Sequence, residues 1–452
     1  MRSTDQVQIA LDKIASIDHS GYELRSVLAI SPDALERASA YEKSAQDLPL
    51  GGLPILLKDN IEAIGLPATA GSKALADTPV VRDSTVAKRL RDAGAIIVGA
   101  TNLSEWANIR SDKSTSGWSA VGGLTANPWK HERSAGGSSS GSGAAVAADL
   151  TQWAIGSETD GSIICPASLN GCVGIKPTVG SIPRDAMIPI SGSQDTPGPM
   201  AQTVAQAALL LDVLTGKKSF ATAAQSPSQL RIGVVKEWRT QDDAVNALFE
   251  SSLTALSKSG AKIIEVSLPQ PSEKNNEDEL HVMLHELVSD LGDYLKSRPG
   301  TRVKNLQGIV DFNRQNAGVE LLHFGQELFE KALELGGRGS EYEVERARNL
   351  GWADQLLNTG LKDVDVLLGC TYGPAWVSTL GKGDDFGSAS WITTAPAVAG
   401  TPIGTIPMGL VNGLPVGMGF VVGRNRELEL INAMAQAERV LALGVLTPTF
   451  LK

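Results

Sequence analysis

Between Ser134 and Leu150 the chain reads SAGGSSSGSGAAVAADL, three consecutive serines framed by glycines and followed by alanines. Small neighbours would leave a hydroxyl open to a substrate, and Gly137-Ser138-Ser139-Ser140-Gly141 fits the G-x-S-x-G pattern of a nucleophile elbow. A flexible glycine-serine loop has the same composition, so the reading turns on what could take the proton. An elbow serine needs a strand leading into it and a histidine in a later loop. Here the preceding residues, NPWKHERSAGG, are polar and turn-like, and the later histidines, His281, His285 and His323, stand in segments with helical patterning. His281 and His285 are spaced i, i+4 and would share a helix face, but no H-E-x-x-H order and no third ligand accompanies them, so no metal is expected. His19 and His131 lack any partner pattern. The loop has neither the Gly-Lys-Ser/Thr ending of a P-loop nor the glycine spacing of a dinucleotide fingerprint, and no cofactor is called for.

Lysine is the other available base, provided burial favours its neutral amine. Lys58 follows the apolar run Pro54-Ile55-Leu56-Leu57, whose end would hold an ammonium in poor solvent. A solvated lysine at a strand end shows the same pattern, so the assignment needs company. It comes downstream, where GSETDGSIICPASLNGCVGIKPTVG places Ser162 in a second glycine-containing turn.

These residues need elements to position them. Residues 5 to 45 read as helical, with an N-cap at Ser31 or Asp33. GGLPILLKDN fits a buried strand ending at Lys58, and STVAKRLRDAGAIIVGATN gives a helix, a stop at Gly94 and the strand Ala95 to Gly99. LRIGVVKEW, DAVNALFESSLTALSKSG and AKIIEVSLP repeat the strand-helix-strand order, which implies an α/β fold with a mixed, largely parallel central sheet covered by helices on both faces. About 275–358 the pattern turns to charged, helix-periodic sequence, a mostly helical excursion. DVDVLLGCT, GTPIGTIPMG and LPVGMGFVVG then return to strands before a last helix, RELELINAMAQAERVL. We expect one large domain over 1–452.

The 452 residues are 42% hydrophobic and 20% charged, enough to bury a large core. A net charge of −10 argues against a nucleic-acid partner, because phosphate binding needs a concentrated basic field. The N-terminus has no continuous apolar core for a signal peptide or membrane span. Cys165, Cys172 and Cys370 form no C-x-x-C pair, consistent with reduced thiols used for packing and with a cytoplasmic protein.

The order of GLPILLKDN, GGSSSGSGAAVAA, SETDGSI and CPASLNGCVGIKPTVG resembles the amidase signature family. ATNLSEWAN, DTPGPMAQTVAQAALLLDVLTG and PAVAGTPIGTIPMGLVNGLPVGMGFV extend the likeness over most of the chain. SETDGSI, with GPAW at 373–376 and GDDFG at 383–387, is most similar to bacterial peptide amidases. The resemblance implies a Ser-cisSer-Lys catalytic set, with Ser162 as nucleophile, Ser138 as relay after a cis Gly137-Ser138 peptide bond, and Lys58 as base. It also implies an oxyanion hole from the backbone N–H groups of Thr159, Asp160, Gly161 and Ser162. The expected function is hydrolysis of a linear carboxamide, a peptide C-terminal amide or amino-acid amide, through an acyl-enzyme. The alternatives are the amidase subunit of a tRNA-dependent amidotransferase and a noncatalytic scaffold of the same fold. Three positions depart from the common pattern. Asp160 stands where many members have glycine, Ala100 replaces the lysine before TNLSE, and Ile164 replaces an arginine common where substrates carry a carboxylate.

Overall fold

The computed structural model describes residues 1–44, 46–225 and 231–451. Its strands are β1 (Val27–Ile30), β2 (Pro54–Lys58), β3 (Ile96–Thr101), β4 (Trp118–Ser119), β5 (Gly123–Leu124), β6 (Trp153–Glu158), β7 (Val173–Lys176), β8 (Thr196–Ala201), β9 (Arg231–Val235), β10 (Lys262–Val266), β11 (Val366–Cys370), β12 (Ile403–Val411) and β13 (Leu414–Val421). Eleven of them form one sheet in the order β1-β3-β2-β6-β8-β7-β12-β13-β11-β9-β10, and β4 with β5 makes a small separate hairpin.

The sheet is mixed. Its parallel ladders, β3-β2-β6 and β11-β9-β10, lie in the two strand-helix-strand regions that the sequence marks. The stretch between them is antiparallel, β8 against β6 and β7, and β12 against β7 and β13.

Alternation along the strands shows why helices cover both faces. Ile55 and Leu57 of β2 pack with Val86 and Ala87 of the Thr85–Asp92 helix, while Leu56 between them packs on the opposite side with Ala145 and Val146 of the Ser140–Ala147 helix. Each such fully buried leucine is worth about 2 kcal/mol of hydrophobic stabilisation. The Thr85–Asp92 helix starts on Ser84, whose hydroxyl accepts from Ala87 N, and stops before Gly94 at φ +87°.

The expected helical stretch over 5 to 45 requires correction at its middle. Helices Ser3–Lys13 and Ala34–Ser44 are present, but Val27–Ile30 is the edge strand β1, antiparallel to β3. Its β-branched and apolar residues serve either element, and the pairing decides: Gly99 of β3 has no Cβ, and one there would sit 2.5 Å from the Ala29 carbonyl. Asp33 precedes the second helix and takes hydrogen bonds from Ser31 Oγ and Arg37 Nε.

Beyond β10 come helices Glu273–Ser297, Leu306–Gln315, Glu327–Leu335 and Ser340–Gly360. Leu284, Leu287, Leu291 and Leu295 of the first form a core with Ile309 and Phe329. That core runs on to Trp106, Ile109 and Ile190, beside the serine loops.

Candidate active site

Parallel pairing of β2 with β6, Leu57 opposite Ile155, lays their carboxyl ends side by side, and these ends carry Lys58 and Ser157. Crevices outside the carboxyl ends of strands are where α/β sheets place their ligands. Lys58 is fully buried, and its Nζ lies 2.8 Å from Ser138 Oγ, 3.0 Å from Ser157 Oγ and 3.1 Å from the Ser157 carbonyl. Asn60 Nδ2 donates to the same Ser157 hydroxyl at 2.9 Å. Burial lowers the Lys58 pKa to about 7, against the opposing pull of Asp195 and Glu158. A neutral amine would have two N–H groups and one lone pair to share among these three contacts.

The three serines of the glycine loop have separate fates. Ser139, at the centre of the G-x-S-x-G match, donates to the Ser157 carbonyl at 3.0 Å and accepts from Ser157 N at 3.2 Å, which staples the loop to β6. Ser140 begins the Ser140–Ala147 helix and donates to the Gly136 carbonyl at 2.5 Å. Ser138 follows a cis Gly137-Ser138 peptide bond and is the one that meets Lys58. The glycines of this helix permit close packing, since a Cβ at Gly141 would lie 2.3 Å from the Ser26 carbonyl.

Ser162 lies in the turn between β6 and the Ile164–Asn170 helix and is 9% exposed, against 1% for Ser138. It lines a cleft of about 220 Å³ together with Thr159, Asp160 and Gly161, and Gly137, bonded to Ser138, lines it too. Ser139 N donates to the Ser162 carbonyl at 3.1 Å, tying the two serine loops together.

The turn is held from inside by Glu158, whose Oε2 accepts from Ile163 N at 2.7 Å and Ile164 N at 2.9 Å. Thr159 Oγ1 donates to Asp195 Oδ1 at 2.7 Å, and Asp195 Oδ2 accepts from Ile190 N and Ser191 N at 2.8 and 2.9 Å. Burial raises the Asp195 carboxyl to about 6, less than isolation would, because those donors favour the ion. Gly161 has φ +76°, and a Cβ there would stand 2.7 Å from the Tyr372 hydroxyl. The N–H groups of Asp160, Gly161 and Ser162 donate to no carbonyl or side chain among the described residues, so they are free to meet an oxyanion.

The residues at the departures take their own places. Ile164 and Ala100 are buried, and burial raises the Asp160 carboxyl against hydrogen bonds from Thr393 and Thr394. Burial also pushes the Cys165 thiol up, and the Cys172 and Cys370 thiols up to about 12, far from the thiolate form. His281 pairs with Glu345 at 3.0 Å, and His285 Nδ1 faces the carbonyls of Gly336 and Gly337 at 3.0 and 3.1 Å, contacts that join helices. Among the described residues no group of three His, Cys, Asp or Glu could hold a metal ion.

Sequence reasoning does not single out Ser157, Asn60, Glu158 or Asp195. All four sit inside or beside the motifs KDN, SETDGSI and DTPGPM, but nothing local says which polar side chain turns inward. Tyr372, Met283 and Phe386 also line the cleft, each from a distant segment.

The family model for amidases matches residues 6–431. The peptide amidase of Stenotrophomonas maltophilia is 38% identical and superposes with a TM-score of 0.92, over 100% of this chain and 96% of that one. Mandelamide hydrolase of Pseudomonas putida is 38% identical over 304 residues, 65% of this chain and 58% of its own. One subunit of the glutamyl-tRNA(Gln) amidotransferase of Salinispora tropica is 32% identical over 481 residues, 99% and 95% of the two chains. Because the match runs through both serine loops and both ends of the sheet that holds them, the chain belongs to the amidase signature family and is a hydrolase of amide C–N bonds.

Proposed function

We propose that this amidase hydrolyses linear carboxamides, with peptide C-terminal amides and amino-acid amides as the favoured class, through an acyl-enzyme on Ser162. The observation that carries the reading is the buried Lys58 amine 2.8 Å from the Ser138 hydroxyl, with a pKa brought down to about 7. Neutral Lys58 takes the Ser138 proton as Ser138 takes that of Ser162, and Ser162 Oγ attacks the carbonyl carbon. The carbonyl oxygen becomes an oxyanion facing the N–H groups of Thr159, Asp160, Gly161 and Ser162. Donors of this kind are each worth about 3 kcal/mol in acyl-transfer enzymes. The C–N bond then breaks, the proton returns along the relay to the departing nitrogen, and water cleaves the ester by the same steps.

Membership of an amidotransferase complex is the second reading, supported by the Salinispora relative. The corresponding solved protein of Thermotoga maritima superposes less closely, with a TM-score of 0.69 at 25% identity. Full activity from the purified chain alone separates the two. Among the described residues no helix is long and apolar enough to cross a membrane, and three buried thiols without a disulfide fit a cytoplasmic enzyme.

Ser162→Ala is expected to abolish ammonia release from a peptide amide and to prevent stoichiometric labelling by a serine-directed phosphonate. Labelling retained in that variant overturns the nucleophile assignment.

A further inference from the structure

When a primary carboxamide is cut, the leaving group is ammonia, which needs no pocket of its own. Selectivity must therefore come from the acyl side, and the cleft at Ser162 is where the acyl group would lie. Its walls include Ile109, Ile190, Met283 and Phe386, drawn from four separate segments, and among the described residues no lysine, arginine or histidine lines it. Asp160 is the one carboxylate among its lining residues.

Two of the apolar walls are braced from outside the cleft. On the Glu273–Ser297 helix, Glu279, Met283 and Glu286 are spaced i, i+4, i+7 and share a face. Glu279 accepts from Gln194 Nε2 at 2.8 Å, and Glu286 accepts from Ser191 Oγ at 2.6 Å and Ser193 N at 2.9 Å. Both contacts end on the segment that carries Ile190, so Met283 enters the cleft with a fixed helix behind it and an unbranched, adaptable side chain in front. Phe386 comes from the long connection after β11. Asp384, two residues before it, accepts from Ser116 N at 3.1 Å and Ser116 Oγ at 2.6 Å, and the Phe386 ring stands edge-on to Trp376 with centroids 5.3 Å apart. Phe386 is nevertheless 38% exposed, an aromatic face left open at the mouth of the cleft.

Resting on the assignment of Ser162 as nucleophile, we infer that the acyl subsite takes a large apolar side chain on the residue that bears the carboxamide, and that Met283 and Phe386 determine this specificity. The substrates are C-terminal amides of leucine- and phenylalanine-like residues. Glycine amides leave the apolar walls uncovered. Acyl groups carrying a carboxylate find no cationic side chain among the described lining residues to pair with.

The test is kcat/KM for N-acetylated glycinamide, leucinamide, phenylalaninamide and glutamic acid α-amide, with the parent enzyme and with Met283→Ala and Phe386→Ala. Ratios are taken within each protein, so a loss common to all substrates cancels. The parent is expected to favour the leucine and phenylalanine amides over glycine by roughly tenfold or more, the scale on which hydrophobic pockets discriminate, and to take the acidic amide least well. In the two variants the phenylalanine-to-glycine ratio should fall about tenfold. A flat series in the parent, or a ratio unchanged in both variants, overturns the inference while leaving the amidase reading intact. Failure to turn over any amide, with no phosphonate labelling of Ser162, overturns both.

Discussion

At the scale of single residues, the burden of the proposed mechanism falls on Lys58. Its amine is enclosed, and the carboxylates that pull its pKa upward, Asp195 and Glu158, are outweighed by desolvation, which brings the value down from 10.5 to about 7. The protonated form cannot accept the Ser138 proton, so kcat should fall as the pH drops through about 7 and level off above it. Lys58→Arg should not rescue activity, since a guanidinium stays charged and has no lone pair to offer. The measurement is kcat against pH for the parent and for Lys58→Ala and Lys58→Arg, with circular dichroism as the folding control. Near-parental kcat in the arginine variant would make Lys58 a structural cation. The same scale explains why a serine triplet needs three residues: Ser139 holds the backbone, Ser140 opens a helix, and Ser138 faces Lys58.

At the scale of elements, the site is a junction of loops held by buried carboxylates. Glu158 closes the turn around Ser162 from within, and Asp195 binds that turn to the segment carrying Ile190. Asp195→Ala would leave Thr159 Oγ1, Ile190 N and Ser191 N without their acceptor in a region with little access to water. Stability should drop by about 3 kcal/mol. Because Thr159 and Ile190 both line the cleft, kcat for a peptide amide should also fall at least tenfold. Urea unfolding and steady-state kinetics on the same preparation test this. Lost stability with parental kcat would show that Asp195 supports the fold without shaping the site.

At the scale of the whole molecule, the sheet is one continuous surface assembled from distant parts of the chain. Strands β1 to β8 come from the first half and β9 to β13 from the second, and they join where β7 pairs with β12, Ile403 opposite Lys176 and Thr405 opposite Gly174. A single hydrophobic core runs beneath the junction, from Leu57 and Ile155 to Phe420 and Met434. We expect unfolding in one cooperative transition, with far-ultraviolet dichroism and tryptophan fluorescence coincident. Trp106, Trp118, Trp129 and Trp153 report on the first half, and Trp238, Trp352, Trp376 and Trp391 on the second. Two separated transitions would mean that the halves are independent units.

What can be known without a fold is local. Apolar runs mark β2, β3, β9 and β11 because a buried strand must be apolar along its length, and the long ordered motifs around Lys58, Ser138 and Ser162 carry the family. Where local pattern and tertiary demand diverge, the sequence misleads or is silent. VLAI reads as helix because a short apolar run is compatible with either element, and β8 goes unmarked because Pro197 and Pro199 argue against a central strand. The tertiary structure alone decides the rest. Only parallel pairing of β2 with β6 buries Lys58 against Ser157 and lowers its pKa, and only packing of the distant helical span and the connection after β11 brings Met283 and Phe386 to Ser162. A pKa shift and a pocket wall both depend on neighbours far along the chain, and spacing within a motif carries no record of them.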